Sequence, residues 1–596
     1  MSTTQGDEEA KIDAQILKKY PYESNDITLS PVCQRSRGKV NGEDVEFCYR
    51  IERRDYHHTG VPYDCLSWQK TSSSHADDCV VVAIKHIAGI HTIGGRGSSE
   101  YSLIFLDPIE DSDASHTPTV GLKIATLEDP PENLLSDFQC PEEPEHLLVP
   151  PTSSAPNLHI IVSAGSDADS SSSICRNLVL PFLEHFSLSQ DEDYTLHCTT
   201  SASAITDLVG STLLPRATQG IAQTIFLLGG DDGVSELLNA LLSGSPLTPT
   251  EVPSTTAGSD PNAGDFGYVR PTLVLIPCGT KNALAHSNFI IGNRMTKHST
   301  FGLRAALLGG PEPLPFFRTT FSPGGRLLTD RVTGSEDGGS VEAVPTIYGA
   351  IVASWGLHAS ISADGDISKS FREAAEEALC SENSDLVTHT YKGKVTLFNE
   401  SQNVPISDGG IFISESVERL ELKRREHACV LAAQCAFLEE GFEISPEHEL
   451  SSGGLRVVEF GPSAVPKEED DNEGDDDAAA AAAEVIDSIS PRYSPAAAET
   501  ANEITNIIRA AYDRGKHTRD KRVGYYNVSG MRIEIDDAEE DERWRRFCVD
   551  GKIIVVERGG WMEVREVDVY REGVLNLVVI DWETSEMSQG QVSGLF

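Results

Sequence analysis

Strand-like and helix-like apolar runs are unevenly distributed along the chain and divide it into three parts. Short strand-like runs recur in residues 31–140, and one helical stretch at residues 131–137 closes them. Residues 157–300 alternate apolar runs of strand length with helical stretches. From residue 315 onward, strand-like runs recur at irregular spacing. The pattern therefore predicts an α/β unit between two β-rich units.

The central unit, residues 157–300, is predicted to be an α/β lobe with a Rossmann-like parallel sheet, because strands that alternate with helices assemble in that way. Four apolar runs supply its strands, at residues 157–166, 194–200, 224–228 and 272–276. Residues 243–270 interrupt the lobe with a segment rich in Ser, Thr, Pro and Gly, which is expected to be a surface loop.

The third unit, residues 315–596, is predicted to be a mainly antiparallel β-sandwich. Residues 371–379 are predicted as a helix within it. Residues 417–437 are interpreted as a second helix, which would carry the basic residues Lys423, Arg424 and Arg425 on a solvated face.

Three polar segments are expected to lie outside the folded units. Residues 1–30 are polar and expected to be disordered, and the proline-rich residues 141–156 are expected to be a linker. Residues 466–500 join an acidic run to an alanine run. They are expected to be disordered, since such a segment cannot bury enough apolar surface to offset the chain entropy lost on ordering.

Composition limits the partners. The chain of 596 residues has 48 basic and 93 acidic residues and a net charge of -45. This balance argues against nucleic-acid binding, which requires Lys and Arg opposite phosphates, and it restricts any contact with anionic lipid to a local patch. No apolar run reaches the roughly eighteen residues of a membrane span, and the polar N-terminus is not a secretory signal, so a cytoplasmic location is expected.

The cysteines indicate reduced thiols. The chain has 12 of them, scattered and without a Cys-x-x-Cys pair, in a sequence that has no secretory signal. No zinc site is expected, and no residue is assigned as a metal ligand.

Two glycine-bearing turns carry the candidate chemistry. The first reads Gly229-Gly230-Asp231-Asp232-Gly233, and the second reads Pro277-Cys278-Gly279-Thr280-Lys281-Asn282. Each follows a predicted strand and precedes a predicted helix. Glycine allows backbone N–H groups to approach a phosphate closely, and a carboxylate at a strand end can accept a proton or hold Mg²⁺.

These turns resemble the catalytic domain of the diacylglycerol, sphingosine and ceramide kinase family. That family has a Gly-Gly-Asp-Gly-Thr motif followed by Glu and Asn, which Glu236 and Asn239 match, and then a Pro-x-Gly-Thr-x-Asn motif. The stretch from Ser354 to Ala359 is similar to the Trp-Gly-Phe-x-Ala stretch of the sphingolipid kinase branch. The resemblance implies an ATP-binding α/β lobe, a lipid-binding β-sandwich lobe and Mg²⁺-ATP as cofactor.

The resemblance also implies roles for single residues. Asp231 would be the general base. The nucleotide would contact residues from four parts of the chain, namely Thr200, Gly229, Gly230, Gly233, Glu236, Gly279, Thr280, Asn282 and Asp550. Trp355, Gly356 and Ser360 would contact the lipid.

Some positions depart from the family pattern. Asp232 and Gly233 stand where the family has glycine and threonine, Lys281 where it has a glycine, and Lys552 where it often has glutamate. Lys281 would either bind phosphate or cap a surface helix.

Two main interpretations of the function follow. The first is an ATP-dependent kinase for a sphingoid base or a related lipid such as ceramide or diacylglycerol, with transient attachment to intracellular membranes. The second is a degenerate relative that binds lipid or partners without catalysis. A third interpretation, the NAD kinase branch of the superfamily, ranks last because that branch lacks the Trp-Gly stretch.

The β-rich residues 31–140 allow two interpretations as well. Several strands closed by one helix resemble the pleckstrin-homology-like (PH-like) domain that precedes the kinase core of ceramide kinases. A β extension without a lipid role is the alternative. The sequence does not indicate an oligomeric state.

Overall fold

A computed structural model shows how the predicted segments assemble. It describes residues 32–51, 65–72, 79–93, 98–108, 120–140, 144–148, 155–163, 168–199, 201, 203–244, 267–290, 300–328, 344, 346–365, 369–380, 385–399, 419–446, 448, 454–462 and 495–580. Residues 1–30 and most of the segments 243–270 and 466–500 therefore lie outside the described residues.

An eight-stranded sheet forms the first unit, here called the N-terminal sheet. Its strands are β1 Val32–Val40, β2 Glu43–Ile51, β3 Cys65–Lys70, β4 Cys79–Ala83, β5 Ile87–Thr92, β6 Glu100–Pro108, β7 Val120–Glu128 and β8 Gln139–Cys140. The strand order is β4-β3-β2-β1-β7-β6-β5-β8, and helix α1 (Glu132–Phe138) follows β7. Nine of the described cysteines are free and seven of these are buried, as expected for reduced thiols, whereas Cys48 of β2 departs from this expectation because it takes part in a disulfide.

The second unit is the predicted α/β lobe, and its parallel sheet is confirmed. Four strands run parallel in the order β10-β9-β11-β12, namely β9 Leu158–Val162, β10 Tyr194–Cys198, β11 Thr224–Gly229 and β12 Thr272–Pro277. All residues of β9 and β11 are buried. Such continuous apolar strands suit a sheet that is covered on both faces.

In the part of the chain that the structure describes, seven α-helices accompany this sheet. They are α2 Ala168–Ile174, α3 Leu180–His185, α4 Ala204–Leu208, α5 Leu214–Thr218, α6 Asp231–Gly244, α7 Ala283–Ile290 and α8 Leu303–Leu308. Short π-helical stretches at Cys175–Val179 and Val209–Leu213 join α2 to α3 and α4 to α5. Helix α6 begins at Asp231, within the first glycine turn, and helix α7 begins directly after the second.

Two further strands complete the sheet, and one of them comes from the end of the described chain. Strand β30 (Asn576–Val579) pairs in parallel with β12, and β13 (Gly310–Pro313) pairs with β30 in the antiparallel sense. The strand pattern places residues 574–580 in the third unit, whereas the structure places them in the α/β lobe. The pairing is long-range, so no local sequence pattern could indicate it.

The third unit, here called the β-rich lobe, contains two seven-stranded sheets. One follows the order β16-β14-β29-β26-β18-β19, with β20 beside β18, and the other follows β15-β28-β27-β17-β21-β24-β25. The strands are β14 Phe317–Phe321, β15 Arg326–Leu327, β16 Ile347–Gly349, β17 Val352–Gly356, β18 Tyr391–Phe398, β19 Arg419–Glu421, β20 Glu426–His427, β21 Cys429–Ala433, β24 Leu455–Phe460, β25 Val523–Val528, β26 Gly530–Ile535, β27 Arg546–Val549, β28 Lys552–Val555 and β29 Trp561–Glu566. A hairpin of β22 (Phe437–Glu439) and β23 (Phe442–Glu443) forms a separate pair.

The described part of the β-rich lobe also contains five α-helices. They are α9 Leu357–Asp364, α10 Phe371–Cys380, α11 Asp385–Thr388, α12 Pro495–Tyr512 and α13 Val569–Glu572. Helix α10 confirms the helix predicted at residues 371–379. The helix predicted at residues 417–437 is wrong, because its described part contains strands β19, β20 and β21 and the first residue of β22. Helix α12 begins within residues 466–500, so that the last part of this predicted disordered segment is helical. None of the described helices combines the length and the apolarity needed to cross a bilayer.

Buried contacts join the three units. One core cluster extends from β11 and α6 into the β-rich lobe as far as Trp355 and Ile533. A second includes Ala88 and Ile104 of the N-terminal sheet together with strands of the α/β lobe. Arg304 of α8 contributes a polar contact, since its guanidinium donates to the carbonyls of Ile84 (2.8 Å) and Ile87.

Candidate active site

The two glycine turns meet at one edge of the parallel sheet. Strands β11 and β12 are neighbours, so their carboxyl ends lie side by side, and the N–H of Cys278 donates to the Gly229 carbonyl at 3.0 Å. A methyl group on Gly279 would lie 2.6 Å from the Gly230 Cα, and one on Gly230 would lie 3.2 Å from the Gly279 Cα. Glycine is therefore needed at both positions because the two backbones approach closely.

A cavity of about 250 Å³ opens beside these turns, between the α/β lobe and the β-rich lobe. We call it the interlobe cavity. Its polar wall is formed by Gly229, Gly230, Asp231, Asp232, Gly279, Thr280, Lys281 and Asp550. Its apolar wall is formed by Ile351, Val352, Ile361, Phe371, Leu438 and Phe442. A polar and an apolar wall thus face the same space.

Asp231 lies at the wall of this cavity and also anchors the next helix. Its Oδ2 accepts the N–H of Ala283 at 2.8 Å, and its Oδ1 accepts the N–H of Leu284 at 3.2 Å. Burial raises the pKa of Asp231 to about 7; the two N–H donors oppose this shift, and the charges of Asp232 and Asp550 add to it. A carboxyl group with such a pKa can exchange a proton near neutral pH.

Asp550 approaches the same cavity from the opposite lobe. It follows β27 in a turn with φ of 44° at Asp550 and 84° at Gly551, a backbone conformation typical of a tight Asp-Gly turn. Its carboxylate accepts three backbone N–H groups, from Ala350 (2.7 Å), Ile351 (3.2 Å) and Val352 (2.8 Å). Burial raises the pKa of Asp550 to about 6 against these donors.

Charged residues meet at the cavity edge between Asp550 and helix α6. A methyl group on Gly551 would lie 3.1 Å from the Asp232 Oδ1, which places Asp232 beside the Asp550 turn. Burial lowers the pKa of Lys552, while the charges of Asp550, Glu236 and Asp232 act in the opposite direction. Asp232 and Lys552, two departures from the family pattern, therefore carry opposite charges at the same place.

Three predicted nucleotide residues form hydrogen bonds within the α/β lobe. Glu236 accepts from the Thr206 N–H and hydroxyl, at 3.3 and 3.2 Å, and does not belong to the described cavity lining. Asn282, at φ 50°, accepts the Gly279 N–H at 3.0 Å with its side chain and is likewise outside this lining. Gly233 lies at the cavity, but its N–H donates to the Gly230 carbonyl at 3.1 Å. Thr200 lies outside the described residues.

The predicted lipid contacts are not brought to the cavity. Trp355 is fully buried, and its indole N–H donates to the Trp544 carbonyl at 3.0 Å. Ser360 is buried and bonds the Tyr391 hydroxyl at 2.8 Å, while Gly356 adopts φ 87° where strand β17 enters helix α9. Trp355 and Ser360 are thus enclosed in the interior, so these three predicted residues contribute to the fold of the β-rich lobe rather than to the cavity wall.

Helix α9 nevertheless lines the cavity with other residues that the sequence analysis missed. His358 and Ile361 lie three residues apart, on the side of α9 that faces the cavity. Burial, with a further contribution from the nearby Lys281, lowers the pKa of His358 to about 3, so its imidazole is neutral at physiological pH. The three-residue spacing of His358 and Ile361 after Gly356 is the sequence signal for the side of α9 that faces the cavity.

The chain is similar to some solved structures at low sequence identity. No family model matches the chain, and no curated protein does. Among solved structures, a diacylglycerol kinase from Bacillus anthracis str. Sterne is similar at 13% identity and a TM-score of 0.35, over 72% of this chain and 98% of that chain.

Two further structures from the same organism carry a provisional assignment as diacylglycerol kinases. One is similar at 12% identity and a TM-score of 0.38, over 72% of this chain and 97% of that chain. The other is similar at 11% identity and a TM-score of 0.39, over 72% of this chain and 98% of that chain. The functional argument therefore rests on the residues of the cavity.

Proposed function

We propose that the protein is a lipid kinase that transfers the γ-phosphoryl group of ATP to a lipid hydroxyl in the interlobe cavity. The observation that supports this most directly is the position of Asp231. A half-buried carboxyl group with a pKa of about 7 lies between two glycine turns and an apolar wall formed by Ile361, Phe371 and Phe442. A proton acceptor thus lies where a phosphate chain and a lipid alcohol could meet.

In the proposed reaction the lipid hydroxyl oxygen attacks the γ-phosphorus. A new O–P bond forms, the bond between the γ-phosphorus and the bridging oxygen breaks, and ADP leaves. The hydroxyl proton passes to Asp231. Its two oxygens each accept one N–H bond, and a carboxylate oxygen has a second lone pair for the incoming proton.

Magnesium is proposed to enter with ATP and to offset the charge of its phosphates. Among the described residues, no group of three or more His, Cys, Asp or Glu side chains is arranged to hold a metal ion. The exposed Asp232, beside the Asp550 turn, is the carboxylate that would reach a nucleotide-bound cation. Asp231 and Asp550 already accept backbone N–H groups.

The acceptor is proposed to be a sphingoid base or a related lipid such as ceramide or diacylglycerol, reached by transient contact with intracellular membranes. The apolar cavity wall supports a lipid acceptor in general. The PH-like interpretation of the N-terminal sheet belongs to this proposal as well, and its support is a set of antiparallel strands β1–β7 followed by helix α1.

Transfer of labelled phosphate tests the proposal. Purified protein would be incubated with labelled ATP, Mg²⁺ and vesicles that contain sphingosine, ceramide or diacylglycerol in separate reactions. We expect one lipid class to be labelled, and we expect Asp231→Asn to lower the rate at least about 100-fold, since general-base catalysis contributes factors of that size. Asp207→Asn, an exposed carboxylate on helix α4, is the control and should keep its activity.

A degenerate kinase-like protein is the alternative, and one observation favours it. Both oxygens of Asp231 already bond the N-terminus of helix α7, so the residue would have a structural role even without catalysis. Binding of Mg²⁺-ATP discriminates between the two functions. A folded protein that binds no ATP at millimolar concentration would support the degenerate form and contradict the kinase.

A further inference from the structure

Lys281 lies at the second glycine turn, where its side chain lines the interlobe cavity. It directly precedes Asn282 and helix α7, and its side chain is 32% exposed. The sequence leaves two roles open for it, phosphate binding or the capping of a surface helix. The structure favours the first, because the side chain faces the cavity shared by both lobes.

Some backbone donors of the two turns and of helix α7 already have partners. The N–H of Gly279 donates to the Asn282 side chain, and the N–H of Gly233 donates to the Gly230 carbonyl. The first two N–H groups of helix α7, at Ala283 and Leu284, bond Asp231. A phosphate chain beside these turns would therefore need a cationic side chain in addition to the remaining backbone donors.

The charges of the cavity also favour a role for Lys281 in phosphate binding. Four acidic residues line it, namely Asp231, Asp232, Glu439 and Asp550. Two lysines, Lys281 and Lys369, complete its described charged lining. Lys369 forms an ion pair with Glu377, with 2.6 Å between its Nζ and the Glu377 Oε2. Lys281 is thus the lysine whose charge is directed at the cavity.

The buried carboxylate of Glu439 forms a long ion pair with Lys281 and leaves donors of its ammonium group available. Glu439 is buried, and its Oε1 accepts the Phe371 N–H at 2.7 Å and the Tyr512 hydroxyl. Its Oε2 lies 3.9 Å from the Lys281 Nζ, which is the long end of an ion-pair distance. An ammonium group has three donors, so one such contact orients the side chain and leaves donors for a ligand.

We propose that Lys281 binds the β- and γ-phosphates of the nucleotide in the interlobe cavity. This inference rests on the proposed nucleotide-binding function and adds a residue at which the chain departs from the family pattern. The lysine would supply positive charge next to Asp231, where the acidic lining otherwise repels a polyphosphate.

Equilibrium binding of Mg²⁺-ATP, Mg²⁺-ADP and adenosine tests the inference. We expect Lys281→Ala to weaken ATP and ADP binding by about 10- to 100-fold and adenosine binding by less than about twofold, since a charge-assisted contact is lost only with phosphate ligands. Lys281→Arg should restore much of the ATP affinity. Lys521→Ala, an exposed lysine of the β-rich lobe, is the matched control and should bind all three ligands like the unmodified protein.

Two results would overturn the inference, and they are distinguishable. If the unmodified protein binds ATP and Lys281→Ala binds it equally well, the role of Lys281 is refuted while the proposed function stands. If the unmodified protein binds none of the three ligands, both the role of Lys281 and the proposed function are refuted. Thermal unfolding of each variant establishes that a lost affinity is not a lost fold.

Discussion

At the scale of single residues, Asp231 combines two tasks that make opposite demands on its carboxyl group. As the anchor of helix α7 it accepts two N–H bonds, which favour the charged form. Burial at the cavity wall favours the neutral form and raises its pKa to about 7. The balance keeps a proton acceptor available near neutral pH, which a fully exposed aspartate would provide only as a much weaker base.

The pH dependence of phosphate transfer follows from this balance. Asp231 accepts a proton only when it is deprotonated, so kcat/KM should rise about tenfold per pH unit below a pH of about 7 and level off above it. Initial rates between about pH 5.5 and about pH 8.5 give the profile. The residual rate of Asp231→Asn should lack the rising limb. A flat profile for the unmodified protein would exclude this carboxyl group as the base.

The sequence predicted several of the residues that line the cavity. It predicted the role of each single residue less well. Gly229, Gly279 and Asp231 lie at the cavity because strand-end turns of neighbouring parallel strands meet. The placement of Trp355 could not be derived from its motif, because a motif gives the order of residues and not the direction of a side chain. Trp355 points into the core, and the cavity is lined instead by the next turn of helix α9.

At the scale of elements, helix α6 joins the two lobes through Asn239. The Asn239 side chain accepts the Tyr348 N–H at 3.0 Å and donates to the Tyr348 carbonyl at 2.8 Å. Tyr348 belongs to strand β16, and the three N–H groups that bind Asp550 follow directly after this strand. One side chain of the α/β lobe therefore holds the segment that orients Asp550.

Replacement of Asn239 should affect both stability and activity. We expect Asn239→Ala to lower the free energy of unfolding by about 1–3 kcal/mol, because two backbone groups of Tyr348 lose their partners. Phosphate transfer should fall as well, because the segment beneath Asp550 loosens. Denaturant unfolding and the transfer assay measure the two effects.

A residue of the same helix provides the control for Asn239. Ser243→Ala removes only a hydroxyl that donates to the Asn239 carbonyl within helix α6, so it should leave transfer unchanged. Equal behaviour of the two variants would contradict the interlobe role of Asn239.

Element prediction succeeded where a pattern was strong and local. The apolar runs of β11 and β12 and the amphipathic helix α10 were evident from their residues. The predicted helix at residues 417–437 failed because Cys429–Ala433 is an apolar run buried on every side, and such a run fits a buried strand as well as a helix. The two strands that flank this run in the sheet make it a strand, and both are distant from it in sequence.

At the scale of the whole molecule, the N-terminal sheet is joined to the α/β lobe by a buried cation. The Arg304 guanidinium donates to two carbonyls beside strand β5 and lies 5.2 Å from the centroid of the Phe138 ring. Burial lowers the pKa of Arg304 to about 9. Such an arrangement ties the first unit to the second through groups that no local pattern predicts.

Removal of this cation should loosen the N-terminal sheet. We expect Arg304→Ala to destabilise the protein by about 2–4 kcal/mol, since buried carbonyls lose their donor and a cavity forms. Limited proteolysis should then release fragments near residues 141–156, while ATP binding at low temperature persists. Arg318→Ala, which removes an exposed arginine of strand β14, should resist proteolysis like the unmodified protein. Identical digestion of both variants would contradict the joining role of Arg304.

The position of strand β30 affects the order in which the protein can mature during synthesis. Residues 576–579 lie between β12 and β13, although some three hundred residues of chain separate them from β12. While a ribosome is still translating the β-rich lobe, β12 has an open edge on that side. The α/β lobe can therefore close its sheet only after the β-rich lobe has emerged, so a truncated nascent chain would expose a pairing edge that chaperones must shield.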